Sequence, residues 1–246
     1  KVGGAPTQEV IDEIFGPDVG GGDLHGGALA PTDARLLLFP VRSLEGIFVW
    51  ITCPMILDRF GRDLELARRS KEVVPDLHPA EACAMVGPDA VLKESPIILE
   101  DEEYNLKGSV TELNQLASTI RGLVPDSTAY EPYRRRLTTH LTLISDTDFS
   151  RLVDKGTDVV TRIKLNKRKT TTGDGGNMWV EEFLPSDCLF YTLLLAMPSR
   201  SPKSSLKSGQ EILRAVREKV SPSVLQIGGD ETVGRGWVRL AFMSAA

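Results

Sequence analysis

Cysteine and histidine are scarce in this chain, with three of each. Cys53, Cys83 and Cys188 are odd in number and far apart. They offer neither a disulfide framework nor metal-ligand spacing, and they point to a reducing compartment, the cytoplasm. His25, His78 and His140 are equally scattered, and none has a catalytic motif around it. His25 sits in the glycine-rich stretch 20–27 and reads as a solvated loop residue rather than a ligand. No apolar run approaches the roughly 18 residues that a membrane span needs. There is no nucleophile elbow and no Walker phosphate loop. Positive charge is not in excess either: 29 Lys and Arg against 34 Asp and Glu give a net charge of −5. Any surface for a polyanion must therefore be local.

What is present is ordinary for a globular protein: 246 residues, 41% hydrophobic and 26% charged. That length fits one large domain, or one core with insertions, and residues 1–246 are read as a single domain. The first residue is Lys1, with no signal peptide after it, so the chain is expected to begin within a longer protein.

Thr7 to Phe15 can form a short helix whose apolar face is Val10, Ile11, Ile14 and Phe15. Ala34–Val41 and Gly46–Cys53 are apolar, β-branched and aromatic, and read as a hairpin closed by Arg42 to Glu45. Pro54 suits the first turn of a helix carrying Ile56, Leu57, Phe60 and Leu64. Residues 67–136 are more polar and rich in proline, and are read as an insertion packed on the core, with a helix from Ser109 to Arg121 that uses Val110, Leu113, Leu116, Ala117 and Ile120. Leu137–Ser145 returns to strand, and Ser145 with Asp146 can cap the next helix. Cys188–Met197 is almost wholly apolar and predicts a central strand buried on both faces. Ser208 and Glu211 form a capping-box pattern ahead of a last helix with Ile212, Leu213, Val216 and Val220 inside. The order predicts an α+β fold with a mainly antiparallel sheet and helices on one face.

Two stretches carry polar chemistry. From Val159 to Asn166, Thr161, Ile163 and Leu165 face one way, while Arg162, Lys164 and Asn166 face the other. Lys167, Arg168 and Lys169 lead into a flexible turn, and Met178 to Leu184 return. Basic residues beside Met178 and Trp179 suit a single-stranded nucleic acid, which needs phosphate contacts and surfaces for bases. A solvated edge hairpin, with lysines that discourage aggregation, gives the same pattern. Glu181 and Glu182 are adjacent and face opposite ways, so they cannot work as a pair; Glu181 shares a face with Trp179 and can orient a ligand group or stand as a surface carboxylate. The second stretch, Gly228 to Gly236, holds four glycines between two apolar runs and brackets Asp230, Glu231 and Arg235. Such a loop admits a polyanion's backbone, and it also makes a plain wide hairpin turn. Its Gly-Gly-Asp-Glu superficially matches the metal-binding turn of nucleotide cyclases, but the extra glycines and Arg235 set that reading aside.

Several longer strings are more specific. Leu38-Phe39-Pro40-Val41-Arg42-Ser43-Leu44-Glu45-Gly46 is followed by Thr52-Cys53-Pro54 and Leu57-Asp58-Arg59-Phe60. Thr161 to Asn166 is followed by Trp179, Glu181 to Asp187 and Leu189-Phe190-Tyr191, and Leu225 to Gly236 closes the set. In this order, from about Phe15 to Leu240, they resemble the repeated backbone subunit of type III-B CRISPR complexes, the fourth of the Cmr set in the RAMP superfamily. The resemblance implies a modified ferredoxin-like or RRM-like core with a helical insertion and a protruding thumb hairpin, here 166–178, and with the family's first strand missing. It implies a role in antiviral defence: copies stacked along a CRISPR RNA, other Cmr subunits and target RNA as partners, no membrane, and guide-directed cleavage of target RNA at regular intervals. That cleavage uses Mg2+ or Mn2+ and an aspartate expected upstream of Lys1, so no catalytic residue is named here. A cleavage-free filament subunit, or a RAMP nuclease processing CRISPR RNA, are the alternatives. Arg42, Arg162, Lys164, Lys167, Arg168, Lys169 and Arg235, with Gly234 and Gly236, are the expected RNA contacts; Met178 or Trp179 would pack on a base, and Glu181 would support them. The family often has lysine at Glu45 and tyrosine at Phe183; the missing hydroxyl removes acid–base work from Phe183.

Overall fold

The computed structural model describes residues 7–18, 20, 24–68, 74–173, 175–219 and 224–243. By its internal contacts the chain divides into two compact units, Leu36–Tyr191 on one side and Lys1–Arg35 with Thr192–Ala246 on the other.

The elements run in order: α1 (Gln8–Phe15), β1 (Leu29–Pro31), β2 (Arg35–Ser43), β3 (Ile47–Thr52), α2 (Pro54–Leu66), β4 (Cys83–Val86), β5 (Ile97–Leu99), β6 (Glu102–Ser109), α3 (Thr111–Arg121), α4 (Glu131–Thr139), β7 (Leu141–Ile144), α5 (Asp146–Lys155), β8 (Asp158–Lys164), β9 (Asn177–Phe183), β10 (Leu189–Tyr191), β11 (Leu194–Ala196), α6 (Gly209–Lys219), β12 (Val224–Gln226) and β13 (Trp237–Arg239).

The largest sheet has seven strands in the order β10-β2-β3-β7-β4-β6-β5. The β2–β3 hairpin was legible because its apolar residues are continuous: Leu37, Leu38, Phe39, Val49, Trp50 and Ile51 are all buried. Such a run needs cover on both faces. Phe39 lies opposite Ile51 and Pro40 opposite Trp50, so Phe39 and Trp50 face opposite ways. Trp50 stacks edge-on with Phe48 and with Tyr133 of α4, and its indole N–H donates to the Asp187 carbonyl at 2.9 Å. The Phe39 ring fills the place where a Cβ on Gly156, at the end of α5, would stand. Helices therefore meet the sheet on both faces, which corrects the one-face expectation. The sheet is mainly antiparallel, with parallel β3–β7 and β4–β6 pairs. Residues 67–136 supply three of its strands, β4 to β6, as well as α3, whose Leu113, Leu116, Ala117 and Ile120 are buried as their spacing predicted.

Helix starts follow the sequence closely. Pro54 opens α2, which buries Ile56, Leu57, Phe60 and Leu64. Ser145 caps α5 by accepting from the Asp148 N–H, and its hydroxyl donates to the Asp148 carboxylate at 2.7 Å. Ser208 and Glu211 form the reciprocal capping box of α6: the Glu211 N–H donates to Ser208 Oγ, and the Ser208 N–H to the Glu211 carboxylate. Thr7 precedes α1 without a side-chain cap, and Phe15 of that helix is exposed rather than on its inner face. Val220 lies outside the described residues.

The central strand expected over Cys188–Met197 is two short ones. β10 is the edge of the large sheet beside β2, and β11 pairs with β1 in a two-stranded sheet. The Thr192 hydroxyl donates to the Thr32 carbonyl, and the Leu193 N–H to the Thr32 hydroxyl, so backbone groups at the break are satisfied locally. In the smaller unit, α1 and α6 bury Ile14, Ile212, Ala215 and Val216 around Ala28. β12 and β13 form a further hairpin that closes on the glycine loop.

Candidate nucleic-acid interface

The basic arm is a hairpin. β8 and β9 pair antiparallel from Asp158↔Phe183 to Lys164↔Asn177 and form a sheet with no other strand among the described residues. Alternation sorts its side chains onto two faces. Arg162 lies opposite Trp179, with Lys164 and Glu181 on the same face. Ile163 lies opposite Met178, and Thr161 opposite Val180. Met178 and Trp179 therefore cannot serve one base together. The second face is apolar and exposed: Val159 is 65%, Ile163 56%, Met178 64% and Val180 63% accessible.

On the first face, Glu181 holds two neighbours at once. One oxygen accepts from Arg162 Nε at 2.7 Å and the other from the Trp179 indole N–H at 2.7 Å. The carboxylate thus fixes a guanidinium and an indole side by side, and offsets the Arg162 charge. Orienting ligand-facing groups is what this geometry can do. Arg42 is paired in the same way: its Nε meets Glu100 at 2.6 Å and its backbone N–H meets the other oxygen at 2.7 Å. Glu100 holds the Arg42 guanidinium above its ordinary pKa. Lys164, Lys167, Arg168 and Lys169 are all exposed and make no ion pair among the described residues. Of the expected phosphate contacts on β2 and the hairpin, these four have their charge free for a ligand.

The turn itself is organised by Asn166, which the sequence places at the end of the alternating strand and at the start of the thumb segment. Its Oδ1 accepts from the Arg168 and Thr170 N–H groups at 2.8 and 3.1 Å. Its Nδ2 donates to Thr170 Oγ1 at 2.9 Å and to the Thr172 carbonyl at 2.8 Å. An asparagine opening a turn was the available signal.

Gly234, Arg235 and Gly236 lie in the other unit. The loop between β12 and β13 contains a short helical turn, Glu231–Val233, with Asp230 and Gly234 in the left-handed region. Gln226 secures it, donating from Nε2 to the Gly228 carbonyl at 3.1 Å and the Arg235 carbonyl at 3.2 Å. A Cβ at Gly236, which has positive φ, would collide with the Ile227 carbonyl oxygen, so glycine is required there. Asp230 and Glu231 are exposed. Among the described residues no three His, Cys, Asp or Glu side chains come together in a way that could hold a metal ion. Burial pushes the Cys53 and Cys188 thiols up to about 12, so neither is a thiolate nucleophile at neutral pH.

Comparison with known proteins supplies the family. The model of the RAMP superfamily matches residues 3–239. The CRISPR system Cmr endoribonuclease Cmr4 of Pyrococcus furiosus is 32% identical over 244 residues, covering 95% of this chain and 75% of that protein. The chain belongs to the Cmr4 family of the RAMP superfamily. The solved structure of oligomeric Cmr4 from Pyrococcus furiosus superposes on this Cmr4-family chain with a TM-score of 0.70 at 28% identity, covering 95% of this chain and 77% of that one. A type III-B Cmr-beta complex bound to cognate target RNA contains a chain of the same fold, with a TM-score of 0.66 at 18% identity and coverage of 95% and 75%. No helix of the Cmr4-family chain, among its described residues, is long and apolar enough to cross a membrane.

Proposed function

We propose that this chain is the CRISPR RNA-binding backbone subunit of a cytoplasmic type III-B effector in antiviral defence, assembled with copies of itself and with other Cmr subunits along the guide. The observation that carries the reading is the β8–β9 hairpin. It presents four unpaired cations, an oriented tryptophan and an apolar face, and is joined to no other strand among the described residues. In this reading the segment 166–178 of that hairpin is the thumb, which interrupts the guide–target duplex. The glycine loop with Arg235 is a second contact with the RNA. The single domain over 1–246 is part of the same proposal. The printed name of the Pyrococcus furiosus relative, an endoribonuclease, supports RNA cleavage; that the RNA cut is guide-matched target, with Mg2+ or Mn2+, is part of the same proposal.

A cleavage-free reading of these particular residues has its own support. Glu181 is engaged by Arg162 and Trp179, and Phe183 has no titratable group. Neither is placed for acid–base work. The test is to bind the chain to a labelled CRISPR RNA, then to add matched target RNA with Mg2+. Binding with regularly spaced cuts supports the nuclease, and binding without cuts supports the filament subunit. Failure to bind the CRISPR RNA at all overturns both.

A further inference from the structure

The sequence predicts a flexible turn at the basic tip of the hairpin. The structure assigns it a different character: we propose that Asn166 is a positioning residue that forms the tip in advance, so that Lys167, Arg168 and Lys169 are presented to phosphate groups before any RNA arrives. This rests on the RNA-binding reading of the hairpin. One amide side chain makes four hydrogen bonds across the turn, two to backbone N–H groups, one to a carbonyl and one to a hydroxyl. The backbone adds two more, from the Asn166 N–H to the Thr170 carbonyl at 3.0 Å and from the Lys169 N–H to the Asn166 carbonyl at 2.9 Å.

The consequence is local and geometric. Three consecutive residues in a strand would alternate between faces. Here the chain curls around the Asn166 amide, Lys169 takes the left-handed conformation at φ 58°, and all three cations are exposed. Lysine does not favour that conformation, so the ring of bonds around Asn166 is what sustains it. A tip held in this form has already met the ordering cost that a floppy basic loop would meet on contact with RNA. The ligand is a run of phosphodiesters, and base identity does not enter.

Three preparations test this against a labelled single-stranded RNA, with anisotropy read across a salt series. Asn166→Ala should weaken binding by about tenfold, the scale of ordering one backbone residue, while the slope of log K against log salt stays as in the unaltered chain. Replacing Lys167, Arg168 and Lys169 together by alanine should instead flatten that slope by about 2. Amide exchange on the free chain should show the Arg168 and Thr170 N–H groups protected, and unprotected in Asn166→Ala. If Asn166→Ala binds as tightly as the unaltered chain, or if those amides are unprotected until RNA is added, the pre-formed tip is wrong although RNA binding stands. If the triple alanine variant keeps both affinity and slope, the tip does not meet phosphate. In that case the RNA reading of the hairpin falls with the proposal.

Discussion

At the scale of single residues, charge counting and charge availability part company. Arg162 has a carboxylate on it, and Lys164, two residues on and on the same face, has none among the described residues. Glu181→Gln should therefore release Arg162 toward phosphate and steepen the salt dependence of RNA binding by about 0.7; an unchanged slope in a salt titration would show that Glu181 does not restrain it. His140 gives a pH prediction. Burial holds its pKa below the ordinary value, the Gly46 backbone partly offsets this, and Arg136 adds to the lowering. Between that depressed folded value and about 6.5 in the unfolded chain, only the unfolded chain takes up the proton. Stability therefore falls as pH drops through about 6.5 and stays lost below the folded value. Thermal melts at neutral pH and near pH 5.5 should show a smaller acid-induced loss in His140→Gln than in the unaltered chain. Equal losses would remove His140 from the account.

At the scale of elements, caps and faces carry the argument. Ser145 both caps α5 and donates to the buried Asp148 carboxylate, which also accepts from the Ala82 N–H. Ser145→Ala should cost about 1 kcal/mol or somewhat more, read from denaturant unfolding. A loss indistinguishable from zero would mean that Asp148 finds equal partners without it. The hairpin's two faces differ in chemistry, one charged and one apolar. Ile163 and Val180 are exposed and hold no core together, so changing both to aspartate should leave the fold intact. The same change should shift the chain toward smaller species in light scattering, since an exposed apolar face of this kind marks a protein contact. Unchanged assembly would assign self-contact to another surface. Capping boxes and the periodicity of α3 were legible because i, i+3 and i, i+4 spacing is local. The break between β10 and β11 was not: it depends on Thr32, 160 residues from Thr192 in sequence.

At the scale of the whole molecule, a chain of net charge −5 is expected to bind a polyanion. The physics is that of a local field, not of the sum. With four unpaired cations on the hairpin, the slope of log K against log salt should be at least about 3 in magnitude for single-stranded RNA. A slope near zero would rule out phosphate contact as the source of affinity. The division into two compact units also belongs to this scale: one is continuous, and the other is built from the two ends of the described chain.

The sequence alone determined the strands and helices whose signals are local, the basic character of 162–169, and the family, because several long strings recur in order. It also placed a turn after Lys169, though not how that turn is held. Tertiary structure decided which charges remain available. Glu100 is 58 residues from Arg42 and Glu181 is 19 from Arg162, so no reading along the chain pairs them. It decided as well that Asn166 closes the tip. Pairing and register bring distant groups within a hydrogen bond's reach, and that proximity is what composition and spacing do not encode.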